Sequence, residues 1–293
     1  MSTASDQKKI ILITGSQGQL GNEFHKISGS FPQHQFIFSD RKSLDITDEQ
    51  AVNDFFSKNK ITVCVNCSAY TAVDKAEQEK ELAEKVNATA VGYLANACKV
   101  ENAQFIHIST DYVFDGKATE PYLPTDETSP VNFYGFTKSA GEKAATTIND
   151  RTLIIRTAWV YSSFGNNFVK TMMRFMKDRD NIGVVNDQHG CPTYAGDLAE
   201  AIMSIITQDI FTPGIYHYTN TGIITWYEFA KEITVLINTT CVVNPISTAQ
   251  FPTPAARPAY SVLNTEKIRS TFNLQIPLWQ NSLQKCIAEM QAQ

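Results

Sequence analysis

The sequence predicts an α/β protein built on a doubly wound parallel sheet, with a smaller C-terminal α/β lobe. Short β-branched runs alternate with helical patterns through the first half of the chain, as expected for right-handed βαβ units. The first run, residues 9–14, is almost continuously apolar, which is typical of a strand covered on both faces. A chain of 293 residues is long enough to bury a sizeable core in one large domain or two modest ones.

The predicted elements of the first half follow one another at regular spacing. Thr47 and Gln50 form a capping box, which predicts the start of a helix ending near residue 59. Residues 111–132 contain three prolines and predict a long loop, and loops of that length are usually functional or mobile. The other predicted segments are strands at 35–39, 62–66, 104–109 and 152–156, helices at 19–28 and 134–147, and helical sequence over most of 75–99.

The pattern becomes less regular beyond residue 159. Thr225 and Glu228 form a second capping box, which predicts a helix extending to about residue 237. Further helices are expected at 167–177, 196–207 and 278–291. We therefore predict a first domain over residues 1–160 and a smaller lobe over 161–293, some segments of which return to the first domain.

The composition argues against several classes of function. Twenty-five basic residues against thirty acidic ones give a net charge of −5, and no basic run stands out. A nucleic-acid partner therefore has no electrostatic support. No apolar run is long enough to span a bilayer, and no secretory signal precedes the first strand. We therefore expect no membrane association and a cytoplasmic location.

Cys64 and Cys67 form a CxxC pair among the six cysteines of the chain. That spacing is found in redox pairs and zinc sites, but both residues lie in an apolar run that reads as a strand. Residues three apart on a strand point to opposite faces, and no second CxxC or paired histidines complete a metal site. The sequence therefore predicts reduced, buried cysteines and no metal centre.

Gly15, Gly18 and Gly21 form a GxxGxxG turn directly after the first strand and at the head of a helix. A turn without side chains lets backbone N–H groups approach a pyrophosphate, and the helix N-terminus attracts the anion. The motif alone is weak and also fits a turn that merely packs helix on strand. Its position between strand and helix favours a dinucleotide site. We therefore expect a Rossmann-like NAD(P)-binding first domain and a mainly substrate-binding lobe.

Asp40 ends the second strand, 19 residues after Gly21. An acidic residue at about this distance usually receives the ribose hydroxyls of the cofactor, which favours NADH. Arg41 is placed to stack on the adenine or to pair with a 2′-phosphate, which favours NADPH. The two signals conflict, so the sequence predicts that NADPH and NADH are both used.

Tyr134 and Lys138 lie four residues apart on a predicted helix, so both side chains can reach one spot. A nearby ammonium lowers the pKa of a tyrosine, which suits the phenol to acid–base catalysis. Lys138 is also placed to hold the nicotinamide ribose. Thr110 ends the fourth strand, at the sheet edge where open parallel sheets bind ligands. Taken alone, Tyr134 and Lys138 could be an apolar residue and a solvated residue on an ordinary helix, and Thr110 could simply cap the following turn. Jointly they predict a nicotinamide-dependent reductase with Tyr134, Lys138 and Thr110 as its catalytic set.

With these residues identified, the chain resembles the extended short-chain dehydrogenase/reductase family and, within it, the dTDP-4-dehydrorhamnose reductases. The matching segments are spread over nearly the whole chain, and two of them, STDYVFDG and VVNDQHGCPT, are far more specific than the glycine motif. The segments are GSQGQLG (15–21), NCSAYTAVDKAE (66–77), VNA (86–88), STDYVFDG (109–116), YGFTKSAGE (134–142), RTAWVY (156–161), GNNFVKTM (165–172), VVNDQHGCPT (184–193) and RPAYSVLNTEKI (257–268).

The resemblance implies a reaction and a set of ligand-binding residues. NADPH or NADH would reduce the 4-keto group of dTDP-6-deoxy-L-lyxo-4-hexulose to give dTDP-L-rhamnose. Tyr134 would protonate the alkoxide, Lys138 would tune Tyr134, and Thr110 would fix the keto oxygen. A homodimer is a further expectation. The resemblance assigns Gly18, Gln19 and Leu20 to the pyrophosphate, Asp45 and Ile46 to the adenine side, Ala69, Tyr70 and Thr71 to the cofactor lining, and Asp111 and Trp159 to the sugar.

Two positions, Trp159 and Arg257, have two readings each. Trp159 offers a planar platform for the apolar face of a deoxysugar, but tryptophan is equally often core. Arg257 has donors suited to phosphate, and a structural salt bridge is equally compatible. Asn167, together with Asn166, is a weaker candidate for the diphosphate end of the substrate.

Two other functions fit parts of this pattern. An epimerase or dehydratase of another nucleotide sugar would share the fold, although dehydratases usually carry extra acidic residues beside the threonine, where this chain has only Asp111. A regulatory subunit that binds a dinucleotide without turnover would also share it. The presence of Thr110, Tyr134 and Lys138 together favours catalysis.

Overall fold

The computed structural model describes residues 8–208 and 211–292. The strands are β1 (Ile10–Thr14), β2 (Gln35–Ser39), β3 (Val63–Asn66), β4 (Gln104–Thr110), β5 (Thr152–Thr157), β6 (Val160–Tyr161), β7 (Asn181–Val185), β8 (His189–Gly190), β9 (Thr193–Tyr194), β10 (Gly214–His217), β11 (Ile224–Thr225) and β12 (Val242–Ile246). Six of them form the main sheet, in the order β10-β5-β4-β3-β1-β2, and all of its pairs are parallel. The predicted doubly wound parallel sheet is confirmed.

Helices cover both faces of this sheet. They are α1 (Gln19–Ser28), α2 (Glu49–Asn59), α3 (Val73–Ala76), α4 (Lys80–Glu84), α5 (Ala90–Val100), α6 (Phe133–Ile148), α7 (Phe168–Asp178), α8 (Ala195–Ile206), α9 (Trp226–Leu236), α10 (Glu266–Phe272) and α11 (Trp279–Gln291). Within the described part of the chain, none is long and apolar enough to cross a membrane.

Each face of the sheet has its own apolar core because successive strand residues point to opposite sides. On one face, Ile11 packs in a cluster with Leu198 of α8. On the other face, Leu12 packs in a cluster with Phe56 of α2 and Leu94 of α5. The continuous apolar run at the start of the chain reflects burial of β1 on both of its sides.

The C-terminal part of the chain contributes to both lobes. Strand β10 pairs with β5 and extends the main sheet, and α8 packs against α1. The remaining segments form a second core, in which Phe229, Trp279 and Leu283 are buried beside the β7–β12 pair. The division into two domains at residue 160, with segments of the second returning to the first, stays a prediction.

One local prediction is wrong for a hydrogen-bonding reason. Helix α2 begins one residue later than expected, because the Asp48 carboxylate caps it by accepting from Ala51 N at 3.0 Å. The Thr47 hydroxyl instead donates to Asp45 Oδ1 at 2.8 Å. The helical sequence predicted over most of 75–99 forms α3, α4, a π-helical turn at Lys85–Thr89 and α5. The capping box of Thr225 and Glu228 is confirmed at the start of α9.

Candidate active site

The glycine turn connects β1 to α1. Gly15 has φ +62°, in the left-handed region that favours glycine. A Cβ on Gly21 would lie 2.5 Å from Ser16 Cα and 2.6 Å from the Gly15 carbonyl oxygen, so only glycine lets the helix approach the turn this closely. No side chain caps α1 at Gly18, and its first N–H groups therefore remain free to bind an anion. This turn fits the pyrophosphate of a dinucleotide.

Asp40 directly follows β2, at the same sheet edge as the glycine turn. Its Oδ2 accepts from Gln17 Nε2 at 2.7 Å, and its Oδ1 accepts from Ser43 N at 2.9 Å. These hydrogen bonds with Ser43 hold the pKa of Asp40 below its usual value. Arg41 is 82% exposed, and its Nε lies 4.0 Å from Asp45 Oδ2. The Asp40 carboxylate and the exposed Arg41 guanidinium thus lie at the same edge, and their roles in binding the cofactor stay a prediction.

The two adenine-side positions have different surroundings. Asp45 accepts from Thr47 N at 3.0 Å and from the Thr47 hydroxyl, and these bonds lower the pKa of its carboxyl. Ile46 is buried in the core beside α2. Asp45 thus presents a partly exposed carboxylate near Arg41, whereas the Ile46 side chain is committed to packing.

The loop after β3, which contains Ala69, Tyr70 and Thr71, is held by a buried asparagine that the sequence did not single out. Asn87 Oδ1 accepts from Tyr70 N at 2.8 Å, and Asn87 Nδ2 donates to Tyr70 O and to Thr137 Oγ1, both at 3.0 Å. Asn87 lies in the π-helical turn, a feature frequent at functional sites. It therefore ties the predicted cofactor-lining loop to α6, one residue before Lys138.

Tyr134 and Lys138 lie on the first turns of α6, which packs against the sheet beside β4. Lys138 Nζ donates to the Ile108 carbonyl oxygen at 2.7 Å, and Lys138 is buried. Burial lowers the pKa of Lys138 to about 8, and the Glu142 carboxylate opposes that shift. Burial also raises the pKa of Tyr134 to about 12, against the effect of its interaction with the Thr110 hydroxyl.

The structure differs from the expectation that Lys138 lowers the pKa of Tyr134. Desolvation dominates at the phenol, and its pKa moves upward. The Lys138 ammonium is directed at a main-chain carbonyl at the end of β4. Tyr134 is therefore a protonated phenol throughout the neutral range, as a proton donor to an alkoxide must be.

Thr110 and Asp111 end β4 and are both buried. The Thr110 hydroxyl donates to Asp111 Oδ1 at 3.0 Å and accepts from Tyr112 N at 3.2 Å. Its single proton is therefore committed to Asp111, and donation to a substrate oxygen requires this proton to turn away. Burial raises the pKa of Asp111 to about 6. The Thr110 hydroxyl and the Tyr134 phenol interact with each other, and their catalytic roles stay a prediction.

A row of polar side chains crosses the sheet below these residues. Thr14 is paired in register with Asn66, and Asn66 with His107. The Thr14 hydroxyl donates to Asn66 Oδ1 at 2.7 Å, and Asn66 Nδ2 lies 3.1 Å from His107 Nδ1. His107 Nε2 in turn lies 3.5 Å from Lys138 Nζ. This row was not predicted from the sequence, although a histidine in an apolar strand three residues before Thr110 was a usable signal.

A buried ion pair supports the next turn of α6. Glu142 lies one turn beyond Lys138, and its carboxylate accepts from Arg156 Nη2 at 2.7 Å and Arg156 Nε at 2.9 Å. The Ser109 hydroxyl also donates to Glu142 at 2.5 Å. Arg156 lies over the Phe114 ring, 5.0 Å from its centroid. These contacts fix α6 against the carboxyl ends of β4 and β5.

Trp159 follows β5 at the same sheet edge. Its φ of +49° lies in the left-handed region, which is a strained conformation for a bulky residue and is found mainly at functional sites. The indole stacks on Trp226 with ring centroids 3.5 Å apart. Trp159 is partly exposed and also packs against the second core, and its role as a platform for the sugar stays a prediction.

The candidate diphosphate residues are engaged in structural contacts. Asn167 caps α7 by accepting from Lys170 N at 3.1 Å, and its Nδ2 donates to Gln19 Oε1 at 2.9 Å. Asn167 thereby links the second lobe to the glycine turn, while the neighbouring Asn166 is exposed. Arg257 forms a bidentate pair with Asp74, at 2.6 and 2.9 Å. For Arg257, the structure shows the salt bridge.

The carboxyl ends of the five strands that precede residue 160 thus converge on one edge. The glycine turn follows β1, Asp40 follows β2, the Tyr70 loop follows β3, Thr110 ends β4 and Trp159 follows β5. Ligands of open parallel sheets bind at this edge. Together with the Tyr134–Lys138 pair on α6, this arrangement defines a dinucleotide-binding protein of the extended short-chain dehydrogenase/reductase class.

Comparisons with known proteins narrow the class. Residues 8–292 match the family described as the RmlD substrate binding domain. The dTDP-4-dehydrorhamnose reductase of Aggregatibacter actinomycetemcomitans is 40% identical over 93% of this chain and 96% of its own. The crystal structure of a dTDP-4-dehydrorhamnose reductase from Clostridium acetobutylicum is 43% identical, with a TM-score of 0.92 over 96% of this chain and 99% of its own.

A third comparison concerns a structure with a bound cofactor. The dTDP-4-dehydrorhamnose reductase of Bacillus anthracis, solved in complex with NADP, is 38% identical with a TM-score of 0.93 over 97% of this chain and 100% of its own. The chain therefore belongs to the RmlD substrate binding domain family, as the resemblance of its motifs predicted.

Proposed function

We propose that this protein is an NAD(P)H-dependent reductase of the 4-keto group of dTDP-6-deoxy-L-lyxo-4-hexulose, with dTDP-L-rhamnose as its product. The observation that carries the proposal is the convergence of Tyr134, Lys138 and Thr110 at the carboxyl edge of a sheet whose first turn fits a dinucleotide. The reductases named above, which match this chain over nearly its full length, support the choice of substrate.

Each residue would have a separate task in this reaction. The turn of Gly15, Gly18 and Gly21 would hold the pyrophosphate of the cofactor. The bound cofactor supplies a hydride, which carries two electrons to C4 of the sugar. Tyr134 would transfer its phenolic proton to the resulting alkoxide, and Thr110 would hold the same oxygen once its hydroxyl turns from Asp111. One proton from solvent restores the pair, so ketone, NAD(P)H and a proton give alcohol and NAD(P)⁺.

The direct test follows the near-ultraviolet absorbance of NADPH or NADH with purified protein and the dTDP-4-keto sugar generated in situ. We expect oxidation of the cofactor that depends on the dTDP-4-keto sugar. With a UDP- or GDP-keto sugar, we expect the rate of oxidation to be lower by about tenfold or more. Cofactor binding without oxidation of any keto sugar would refute the proposal and favour a non-catalytic dinucleotide-binding protein. Faster turnover of a UDP- or GDP-linked sugar would refute the assignment of the nucleotide.

The pH dependence of reduction provides a second test. Burial lowers the pKa of Lys138 to about 8, so the ammonium loses its proton as the pH rises through that value. Reduction consumes a proton at the Tyr134–Lys138 pair, and kcat is therefore expected to fall above about pH 8. Its measurement requires saturating NADPH and sugar at each pH. An undiminished kcat up to about pH 10, where an ordinary lysine titrates, would contradict the prediction.

The preference between the two cofactors is set by Asp40 and Arg41. The Asp40 carboxylate favours the ribose hydroxyls of NADH, and the exposed Arg41 guanidinium favours the phosphate of NADPH. We expect KM values for the two cofactors within about a hundredfold, which corresponds to about 2.7 kcal/mol of differential binding. Arg41→Ala should raise KM for NADPH and leave KM for NADH nearly unchanged. An equal rise for both cofactors would show that Arg41 does not read the phosphate.

Two further proposals concern the protein as a whole. We propose that it forms a homodimer, which light scattering of the purified protein would test by its mass. A cytoplasmic location also stays a prediction from the sequence.

A further inference from the structure

The buried row of Thr14, Asn66 and His107 leads to Lys138, but none of these three residues has a role in the proposed reaction. All three side chains of the row are fully buried, and neighbouring strands align them in register on one side of the sheet. Buried polar groups cost free energy unless they are paired. The row is connected by hydrogen bonds and ends at the buried lysine of the catalytic pair. The position of each proton in the row therefore affects that lysine.

The orientation of the Asn66 amide follows from its neighbours. The Ser68 main-chain N–H can only donate, and it lies 3.1 Å from Asn66 Oδ1. The Thr14 hydroxyl approaches the same oxygen at 2.7 Å. Turning the amide over would place Nδ2 against the Ser68 N–H, donor against donor. Asn66 Nδ2 is therefore the atom that faces His107, at 3.1 Å from Nδ1.

This amide determines the tautomer of His107. An amide nitrogen donates and cannot accept, so His107 Nδ1 must be the unprotonated acceptor. Burial, and then the charge of Lys138, hold the pKa of His107 well below its usual value. The ring is therefore neutral and carries its single proton on Nε2. That atom lies 3.5 Å from Lys138 Nζ.

An N–H at this position distinguishes the two forms of Lys138. An ammonium has no lone pair and cannot accept from Nε2–H, whereas a neutral amine can accept from it while still donating to the Ile108 carbonyl. We propose that His107 is a positioning residue of the catalytic pair, whose Nε2–H, fixed by Asn66, stabilises the neutral amine of Lys138. This inference builds on the reductase proposed above and adds a residue that acts through Lys138.

The other groups around Lys138 are known from the elements packed against it. Glu142 lies on α6 itself and favours the ammonium, but its carboxylate is paired with Arg156 of β5. Cys67, which follows β3, has a pKa raised by burial and is a neutral thiol. Tyr134 on α6 is also protonated at neutral pH. Among the described residues, the hydrogen-bond contacts of Lys138 Nζ are with the Ile108 carbonyl oxygen and His107 Nε2, so His107 is the side chain that presents an N–H to the amine.

The first experiment determines the tautomer by ¹⁵N NMR of the histidine rings in the full-length protein. The chain has five histidines, and the His107 signals are those lost in His107→Gln but kept in the matched control His25→Gln, which removes an exposed histidine on α1. We expect a neutral ring with a protonated Nε2. A protonated Nδ1 would overturn the proposal, and this readout is independent of substrate identity.

The second experiment compares pH profiles of kcat. His107→Leu removes the N–H, so the neutral amine is less stable, and the inflection assigned to Lys138 should move up by about one pH unit, a tenfold change in acidity. His107→Gln keeps an N–H donor and should restore the inflection toward that of wild type. A merely structural role would lower kcat without moving the inflection, and that result would overturn the proposal.

Asn66→Asp provides the test if the leucine variant does not fold. A carboxylate in place of the amide accepts from Nδ1, so His107 should switch to the Nδ1–H tautomer and present a lone pair to the Lys138 ammonium. The NMR signals should reverse, and the inflection should rise. An unchanged tautomer in this variant would refute the role of Asn66. An inactive wild type with the expected tautomer would instead refute the proposed function and leave the His107 assignment supported.

Discussion

Tyr134→Phe is expected to lower kcat by about 10²–10⁴-fold, the loss typical of a removed general acid. The change deletes one oxygen and retains the ring, which packs edge-on against Tyr112 with centroids 5.8 Å apart. The fold and the cofactor site should therefore survive. Because the lost interaction is a proton transfer in the transition state, kcat and kcat/KM should fall together, with little change in KM for NADPH.

The measurement is a steady-state comparison of wild type, Tyr134→Phe and the matched control Tyr93→Phe, which removes a phenolic oxygen on α5, away from the carboxyl edge of the sheet. The control should retain wild-type kcat. Turnover by Tyr134→Phe within about threefold of wild type would show that another group donates the proton, since the expected loss is at least about a hundredfold. Thr110, the other hydroxyl beside the substrate position, would then be the next candidate.

The fold was predictable because its signals are local. Apolar strand runs, helix periodicity and a glycine turn after the first strand all lie within short windows of sequence, and they fix the order of elements in a parallel sheet. The division of the helical segment 75–99 by a π-helical turn was not predicted, because the turn, which contains Asn87, depends on tertiary contacts with α6. Strands β7 and β12 were also missed, because they pair with each other across about 60 residues of chain.

The site was predictable to the extent that motif residues carry their own signal. Tyr134 and Lys138 are related by helix geometry, and Thr110 by its place at the end of a strand. Asn66 and His107 become neighbours only through the register of β3 and β4, and sequence spacing does not give that register. The direction of the Tyr134 pKa shift was predicted wrongly for a similar reason, since burial of the phenol depends on the assembled loops around it.

Strain at Trp159 is a further property that sequence could not indicate. A left-handed tryptophan is sterically unfavourable, and the surrounding structure must hold it in place. The Trp226 stack, at 3.5 Å, comes from α9 in the second lobe. The conformation of a residue beside the proposed sugar position therefore depends on contact between the two parts of the chain, which links formation of the site to packing of the lobes.

Arg156→Leu is expected to lower the free energy of unfolding by about 3–5 kcal/mol, the cost of leaving a buried ion unpaired. The side chains of Arg156 and Glu142 are only 3% and 6% exposed. Without the guanidinium, the Glu142 carboxylate would keep just the Ser109 hydroxyl as a partner among the contacts described above. Urea unfolding at neutral pH measures the loss. The matched control, Lys285→Leu, breaks the exposed pair with Glu200 and should cost no more than about 1 kcal/mol.

The double variant Glu142→Leu/Arg156→Leu separates loss of a pair from loss of packing. Replacing both ions of a buried pair with apolar groups is often close to neutral, so the double variant should be more stable than Arg156→Leu alone. A double variant as unstable as the sum of the two single variants would show that the pair contributes through packing, including the contact of Arg156 with Phe114. Recovery of stability together with a lowered kcat would show that the pair has two separable roles. Folding would then not need the two charges, whereas correct placement of Lys138, one turn away on α6, would need them.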